Sequence, residues 1–335
     1  MSPQSLEQIA QDLVAPGKGI LAADESNGTM SKRLEAVNIE PSEHTRRAYR
    51  SAMLSSEGIN EYISGVILFD ETIRQKMDDG TPIPDYLISK GIIPGIKVDT
   101  GAKPLSWHEG ETVTEGLDGL RGRCEEYYRM GARFAKWRAV IKISGDLPSA
   151  AAISVNAHAL ARYAAICQEQ RIVPIIEPEV LMTGPHGLEQ CASTTSRILD
   201  AVYSECEVQG INLRGTILKP NMILPGSEAK KADTRTVARA TAEVLKATVP
   251  QEVAGIAFLS GGQSDLDATS HLNEINLIIG NAPWPLTFSF GRALLADALS
   301  LWSESDVEGA QAKLRHRSKM NALAAVGTWS SDLEV

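Results

Sequence analysis

A single (β/α)8 TIM barrel of the α/β class is the fold predicted for this chain, on three observations. Short β-branched or aliphatic runs recur about 30 to 45 residues apart, the length of one βα unit. Longer amphipathic stretches fill the intervals, an alternation that implies parallel strands joined by crossover helices. Ionisable residues then gather at the C-terminal ends of the runs, the edge at which barrel enzymes build their sites.

The runs expected as strands are Gly19 to Ala22, Val66 to Phe69, Gly95 to Val98, Phe134 to Trp137, Val173 to Ile176, Thr216 to Leu218, Ile256 to Leu259 and Leu286 to Phe288. Between them, Val155 to Glu169 and Asp233 to Thr248 combine alanine and leucine content with near-3.6 periodicity, as helices packed outside a sheet require. Gly116 to Gly122 is glycine-rich, but its spacing is wrong for a dinucleotide loop and no apolar run precedes it. It reads as a turn entering a helix. No Pro/Gly/Ser linker divides the chain, and an unbroken series of eight units favours a barrel over a doubly wound sheet, which usually has fewer strands or a second domain. One domain over residues 1–335 is expected, with an N-terminal helical segment at 1–16 and a short C-terminal tail at 319–335.

With 43% hydrophobic and 22% charged residues, the chain has the composition of a protein with a large buried core. Its net charge of -9 argues against a nucleic-acid partner, which demands a basic face to displace counterions from phosphates. Apolar stretches fall well short of the ~20 residues of a membrane helix, and the polar start Met1-Ser2-Pro3-Gln4 opens no signal peptide. A cytoplasmic protein without a membrane partner is therefore expected. Cys124, Cys167, Cys191 and Cys206 are far apart in sequence with no CxxC, and read as reduced core thiols.

The chemistry is written at the ends of the runs: Asp24, Asp70, Lys97 with Asp99, Lys136 with Arg138, Glu177 with Glu179, Lys219, Ser260 and Ser289. Thr216-Ile217-Leu218-Lys219-Pro220-Asn221 places an amine at the mouth of an apolar strand, where desolvation disfavours the ammonium and favours a nucleophilic nitrogen. A second ammonium at Lys136 would press in the same direction, the arrangement that suits Schiff-base formation. In Lys136-Trp137-Arg138 and Glu177-Pro178-Glu179 the charged residues are two apart, so each pair shares one side of its strand. Cations and carboxylates converging on one mouth permit general acid-base work; a structural ion-pair network is the plainer reading of either pair alone.

Two segments resemble phosphate cradles: Leu259-Ser260-Gly261-Gly262-Gln263 after the seventh run, and Ser289-Phe290-Gly291-Arg292 after the eighth. Glycine lets backbone N–H groups approach an anion closely, and Arg292 adds a charge-assisted fork. Across the mouth, Ser26 and Thr29 offer hydroxyls, with a helix N-cap as the competing explanation, and Lys97 supplies charge for a second phosphate. Phosphate sites on opposite sides of a lysine suggest a doubly phosphorylated carbonyl compound. His44, His108, His158, His186, His271 and His316 are scattered without HxH or HExxH spacing, so neither a metal nor another cofactor is expected.

From about Val14 to Leu299 the chain resembles the class I fructose-1,6-bisphosphate aldolases. The resemblance is carried by Gly17-Lys18-Gly19-Ile20-Leu21-Ala22-Ala23-Asp24-Glu25-Ser26, Gly95-Ile96-Lys97-Val98-Asp99, Phe134-Ala135-Lys136-Trp137-Arg138, Leu218-Lys219-Pro220-Asn221 and Phe258-Leu259-Ser260-Gly261-Gly262-Gln263, in the family's order. It implies reversible cleavage of fructose 1,6-bisphosphate to dihydroxyacetone phosphate and glyceraldehyde 3-phosphate, in glycolysis and gluconeogenesis. It further implies Lys219 as the imine-forming amine, Glu177 as acid-base residue, Lys136 as its assistant and Asp24 as the group at the C4 hydroxyl, with Glu179 and Arg138 orienting them. Ser260, Gly261, Gly262, Ser289, Gly291, Arg292 and Arg33 carry over to the C1 phosphate and substrate, and Ser26, Thr29 and Lys97 to the C6 phosphate. The resemblance also implies a homotetramer whose partners are sugar phosphates.

The resemblance departs at the end. Well-studied animal members close on a mobile tail with a terminal tyrosine, whereas this chain ends Trp329-Ser330-Ser331-Asp332-Leu333-Glu334-Val335 and its last tyrosine is Tyr203. That tyrosine is associated with late proton transfer and with preference for bisphosphate over monophosphate, and the resemblance leaves both properties open here. Alternatives are an aldolase for sedoheptulose 1,7-bisphosphate or fructose 1-phosphate, and a non-catalytic sugar-phosphate-binding scaffold, for which a buried nucleophile has no use.

Overall fold

A computed structural model describes residues 4–334. Met1 to Pro3 of the polar start, and Val335, lie outside the described residues. Its strands are β1 (Gly19–Ala23), β2 (Ile63–Leu68), β3 (Ile93–Lys97), β4 (Gly101–Pro104), β5 (Thr112–Glu115), β6 (Phe134–Ile141), β7 (Val173–Val180), β8 (Ile217–Leu218), β9 (Gly255–Phe258) and β10 (Leu286–Phe290). Eight of them close into a barrel in the order β1-β10-β9-β8-β7-β6-β3-β2. Every neighbouring pair is parallel. The expected (β/α)8 barrel is the fold.

The barrel interior is filled from below. Helix Leu6–Leu13 presents Ile9, Ala10 and Leu13, followed by Val14, to Ile20, Ile67, Phe134, Val173, Ile175, Ile217 and Ala257, forming a core separate from the layer between sheet and outer helices. Burying a side chain the size of Phe134 contributes about 2 to 3 kcal/mol. Glycines make the room: a Cβ on Gly95 would stand 2.3 Å from the Phe134 ring, and one on Gly255 2.7 Å from Val14. The helical stretch expected at 1–16 thus becomes, within the described residues, a plug on the N-terminal end of the barrel.

The outer helices include Ala150–Glu169 and Thr234–Thr248, the latter capped by Asp233, whose side chain accepts from the Thr236 N–H. Trp137 points out of the barrel, away from its charged neighbours, and packs against Tyr163 at 5.5 Å between ring centroids. Cys124 and Cys167, distant in sequence, bring their sulfurs to 3.9 Å beneath this layer, and all four thiols are free and buried. No described helix is long and apolar enough to cross a membrane.

Three local expectations need correction. An antiparallel hairpin, β4 with β5, stands between β3 and β6, so a strand does precede the glycine-rich turn at Gly116. The hairpin leans on β6: the Thr114 and Thr112 hydroxyls donate to the Arg138 and Val140 carbonyls at 2.8 and 3.1 Å. With that cover, β6 and β7 continue well past Trp137 and Ile176, pairing as far as Ile141 with Val180. Finally, helix Val307–Ala324 runs into the stretch expected as a tail from 319. Its buried face hides polar residues, Arg317, Ser318 and Asn321, which mask the apolar period in the sequence.

Candidate active site

At the C-terminal edge of the strands lies a cavity of about 1160 Å3. Eight lysines and arginines and seven carboxylates line it, so the cavity wall is close to charge balance in a chain of net charge -9. Its floor holds four residues predicted from sequence, and they form one chain of ion pairs. Lys136 Nζ lies 2.7 Å from Asp24 Oδ2 and 3.1 Å from Glu177 Oε2, while Lys219 Nζ lies 3.1 Å from Glu177 Oε1. Lys136, Glu177 and Lys219 are all less than 5% exposed.

The sequence suggested two facing ammonium groups; the structure interposes a carboxylate. Burial opposes the charge on Glu177, but Lys136, Lys219 and Arg138 outweigh it and hold its carboxyl below the ordinary value. Asp24 is depressed in the same way, by Lys136 and Lys219 against burial. Burial likewise works against the Lys136 ammonium, yet Asp24 and Glu177 raise it above the ordinary lysine value. In the resting protein Asp24, Glu177 and Lys136 are therefore charged.

Backbone geometry explains why Lys219 stands there. Strand β8 pairs only through Ile217 and Leu218, and the Lys219 N–H donates to the Ile176 carbonyl at 2.8 Å as the ladder ends. Beyond it, Asn221 replaces backbone pairing, its Oδ1 accepting from the Val180 N–H at 3.0 Å. Pro178 of β7 falls past the last β8 pair, where a missing N–H breaks no ladder on that side.

Arg138 donates to Glu179, so this second charged pair is locked together at the wall. Lys97 also lines the cavity but is held by Asp99, at 2.5 Å from its carboxylate and 2.9 Å from its carbonyl. Ser26 is the N-cap of helix Asn27–Ala36, its oxygen accepting from the Thr29 N–H, and both residues line the cavity. The capping role of Ser26 is thus observed, and it leaves both residues on the cavity wall. Arg33 lines the wall while donating to Glu25, which Arg50 grips from behind at 2.7 Å.

On the opposite wall stand Ser260, Gly261, Ser289, Gly291 and Arg292. Ser289 Oγ is buried and has no hydrogen-bond partner. Arg292 opens helix Arg292–Ser303 and, among the described residues, makes no ion pair within 4.0 Å; an anion here would meet both a free guanidinium and a helix N-terminus. Gly261 and Gly262 have φ of +61° and +90°, a conformation that strains any other residue. Gly262 does not line the cavity, but a Cβ on it would stand 3.4 Å from Arg292 Nη2.

Sequence reading missed the far rim, where Arg74, Arg123, Glu126 and Tyr127 join Asp70. Arg74 bridges Asp70 and Glu126, and Arg123 donates to the Val98 and Gly116 carbonyls at 2.8 and 2.6 Å. Arg123, Glu126 and Tyr127 come from helix Leu120–Arg129, so strand-end position gave no signal for them. Among the described residues no three His, Cys, Asp or Glu side chains converge as a metal-binding group.

A family model described as "Fructose-bisphosphate aldolase class-I" matches residues 5–334. The chain is 54% identical to a probable fructose-bisphosphate aldolase class 1 of Xanthomonas campestris pv. campestris, covering 98% of this chain and 99% of the relative. A fructose-bisphosphate aldolase of Schistosoma mansoni is 52% identical over 98% of this chain and 92% of its own, and a cytosolic aldolase of Arabidopsis thaliana 50% over 96% and 90%. Among solved structures, the aldolase of Plasmodium falciparum superposes with a TM-score of 0.95 at 45% identity, covering 97% of this chain and 95% of that one.

Proposed function

The chain belongs to the class I fructose-bisphosphate aldolase family, and on that premise we propose that Lys219 cleaves fructose 1,6-bisphosphate through a Schiff base. The observation that carries the reading is the Lys219–Glu177–Lys136–Asp24 chain of contacts on the cavity floor. Glu177, ionised at rest, accepts the proton that Lys219 must lose before its nitrogen attacks the C2 carbonyl. Loss of that positive charge weakens what depressed Glu177, so the carboxylic acid forms and can protonate the departing C2 hydroxyl, which leaves as water.

The protonated imine then draws the electrons of the C3–C4 bond as Asp24 takes the C4 hydroxyl proton, relayed against Lys136. Glyceraldehyde 3-phosphate leaves, the proton equivalent taken from the C4 hydroxyl is returned to the enamine at C3, and water hydrolyses the resulting imine to release dihydroxyacetone phosphate and the free amine. Ser260, Gly261, Ser289, Gly291 and Arg292 hold the C1 phosphate, with Gly262 shaping the turn and Arg33 at the substrate edge; Ser26, Thr29 and Lys97 hold the C6 phosphate once Lys97 shares its charge between Asp99 and the ligand. Arg138 and Glu179 orient the floor.

Borohydride reduction in the presence of dihydroxyacetone phosphate, followed by peptide mapping, tests the assignment. An adduct on Lys219 is expected, absent from Lys219→Ala; an adduct on Lys136 instead would overturn it. Comparing kcat/KM for fructose 1,6-bisphosphate, fructose 1-phosphate and sedoheptulose 1,7-bisphosphate, with and without EDTA, tests the substrate and the independence from metal. A cytoplasmic location accords with relatives named cytosolic and cytoplasmic. A homotetramer is the assembly that the resemblance implies, and light scattering giving the mass of four protomers is its test.

A further inference from the structure

Behind the Ser260 cradle, Gln263 and the buried His271 form a relay with no part in the reaction as described. The Gln263 N–H closes the turn onto the Ser260 carbonyl at 3.1 Å, and Gln263 Nε2 donates to that same carbonyl at 2.9 Å. A carbonyl oxygen only accepts, so the amide must turn its nitrogen to Ser260 and its oxygen away. That oxygen meets His271 Nδ1 at 2.5 Å, and because Oε1 also only accepts, Nδ1 carries the proton. His271 lies in helix Asp265–Ile279, only 7% exposed. The helix is itself pinned where Thr269 accepts from the buried Arg317 at 2.5 Å.

We propose that His271 is a positioning residue for phosphate binding: through Gln263 it fixes the Ser260 carbonyl, and with it the left-handed Gly261-Gly262 turn that faces Arg292. The proposal rests on the reading of this turn as the C1-phosphate cradle. Fructose 1-phosphate, which carries only that phosphate, is the probe. One hydrogen bond is worth about 0.5 to 1.5 kcal/mol, so His271→Ala raises KM for fructose 1-phosphate up to about tenfold, with kcat changed by less than about threefold. His271→Asn, whose amide nitrogen takes roughly the place of Nδ1, restores most of the loss. The double variant His271→Ala, Gln263→Ala binds no more weakly than Gln263→Ala alone, since the histidine acts only through the glutamine.

An unchanged KM in folded His271→Ala, or additive effects in the double variant, overturns the proposal. So does a parallel fall in kcat and in thermal stability with KM unmoved, which marks a purely structural histidine. Arg292→Ala separates the two levels. If it leaves KM for fructose 1-phosphate unchanged, the cradle assignment fails and the role of His271 falls with it; if Arg292→Ala raises KM and His271→Ala does not, the cradle stands and only the relay is wrong.

Discussion

Glu177 is asked to be a base first and an acid later, and its two oxygens, each 3.1 Å from a different lysine nitrogen, supply the means. Glu177→Gln keeps the size and loses both proton transfers, so kcat is expected to fall by about 10² to 10⁴. Rapid-quench trapping would show slow adduct formation; adduct formation at the normal rate would remove Glu177 from the imine step. The same residues set the acid limit of stability. Asp24 and Glu177 are held below their ordinary values of 3.8 and 4.5, so in the unfolded chain they take up protons first as pH falls. Their contribution is complete above those ordinary values and is lost as pH falls through the lower folded ones. Lys136, raised above 10.5, behaves oppositely, with its contribution lost only in strong alkali. Urea unfolding at pH 6 and pH 3 is expected to show a loss that is smaller in the double variant Asp24→Asn, Glu177→Gln; an equal loss would place the acid sensitivity elsewhere. These residues were legible in the sequence because they sit at the ends of apolar strands. Arg74, Arg123 and His271 were not, because their roles depend on how helices and loops fold over those ends.

At the scale of elements, the eight barrel strands could be read from their apolar runs, but their lengths could not. Nothing local in Leu105 to Glu111 announces that a hairpin will shield β6 and let it run to Ile141, whereas β8 stays within its short run, Thr216 to Leu218. The floor of the barrel was illegible for another reason: it is built from absent side chains. Gly95→Ala places a Cβ 2.3 Å from the Phe134 ring, and overpacking of this kind costs about 1 to 3 kcal/mol. Adding Phe134→Leu recovers part of that loss by thinning the ring it strikes. Denaturant midpoints measure both, and kcat is expected to stay near normal because Phe134 packs with helix Leu6–Leu13, at the end opposite Lys219. A Gly95→Ala protein as stable as the parent would show that the floor has slack.

Over the whole molecule, the residues read from sequence as a short C-terminal tail complete a charge network. Arg317 is buried, its side chain 2% exposed, and receives Glu334 on Nη1, with Asp265 3.4 Å from Nε. Glu334 is shared further: Trp329 Nε1 donates to it at 2.9 Å and His316 Nε2 lies 3.2 Å away. Burial opposes the charge on Glu334, but these partners hold it below the ordinary value, so it is an anion at neutral pH. The turn Ser331–Glu334 thus clasps helix Val307–Ala324 to the start of helix Asp265–Ile279, directly behind the Ser260 turn. Stripping a buried charge of its partner costs about 3 to 5 kcal/mol; Asp265 remains and Glu334 is partly exposed, so Glu334→Ala is expected to cost about 1 to 3 kcal/mol. Replacing both charges removes the penalty rather than doubling it, so Arg317→Met with Glu334→Ala should be at least as stable as Glu334→Ala alone. Urea denaturation of the two single variants and the double gives the coupling directly. Additive losses would mean that Glu334 acts through packing of the turn and not through the arginine's charge.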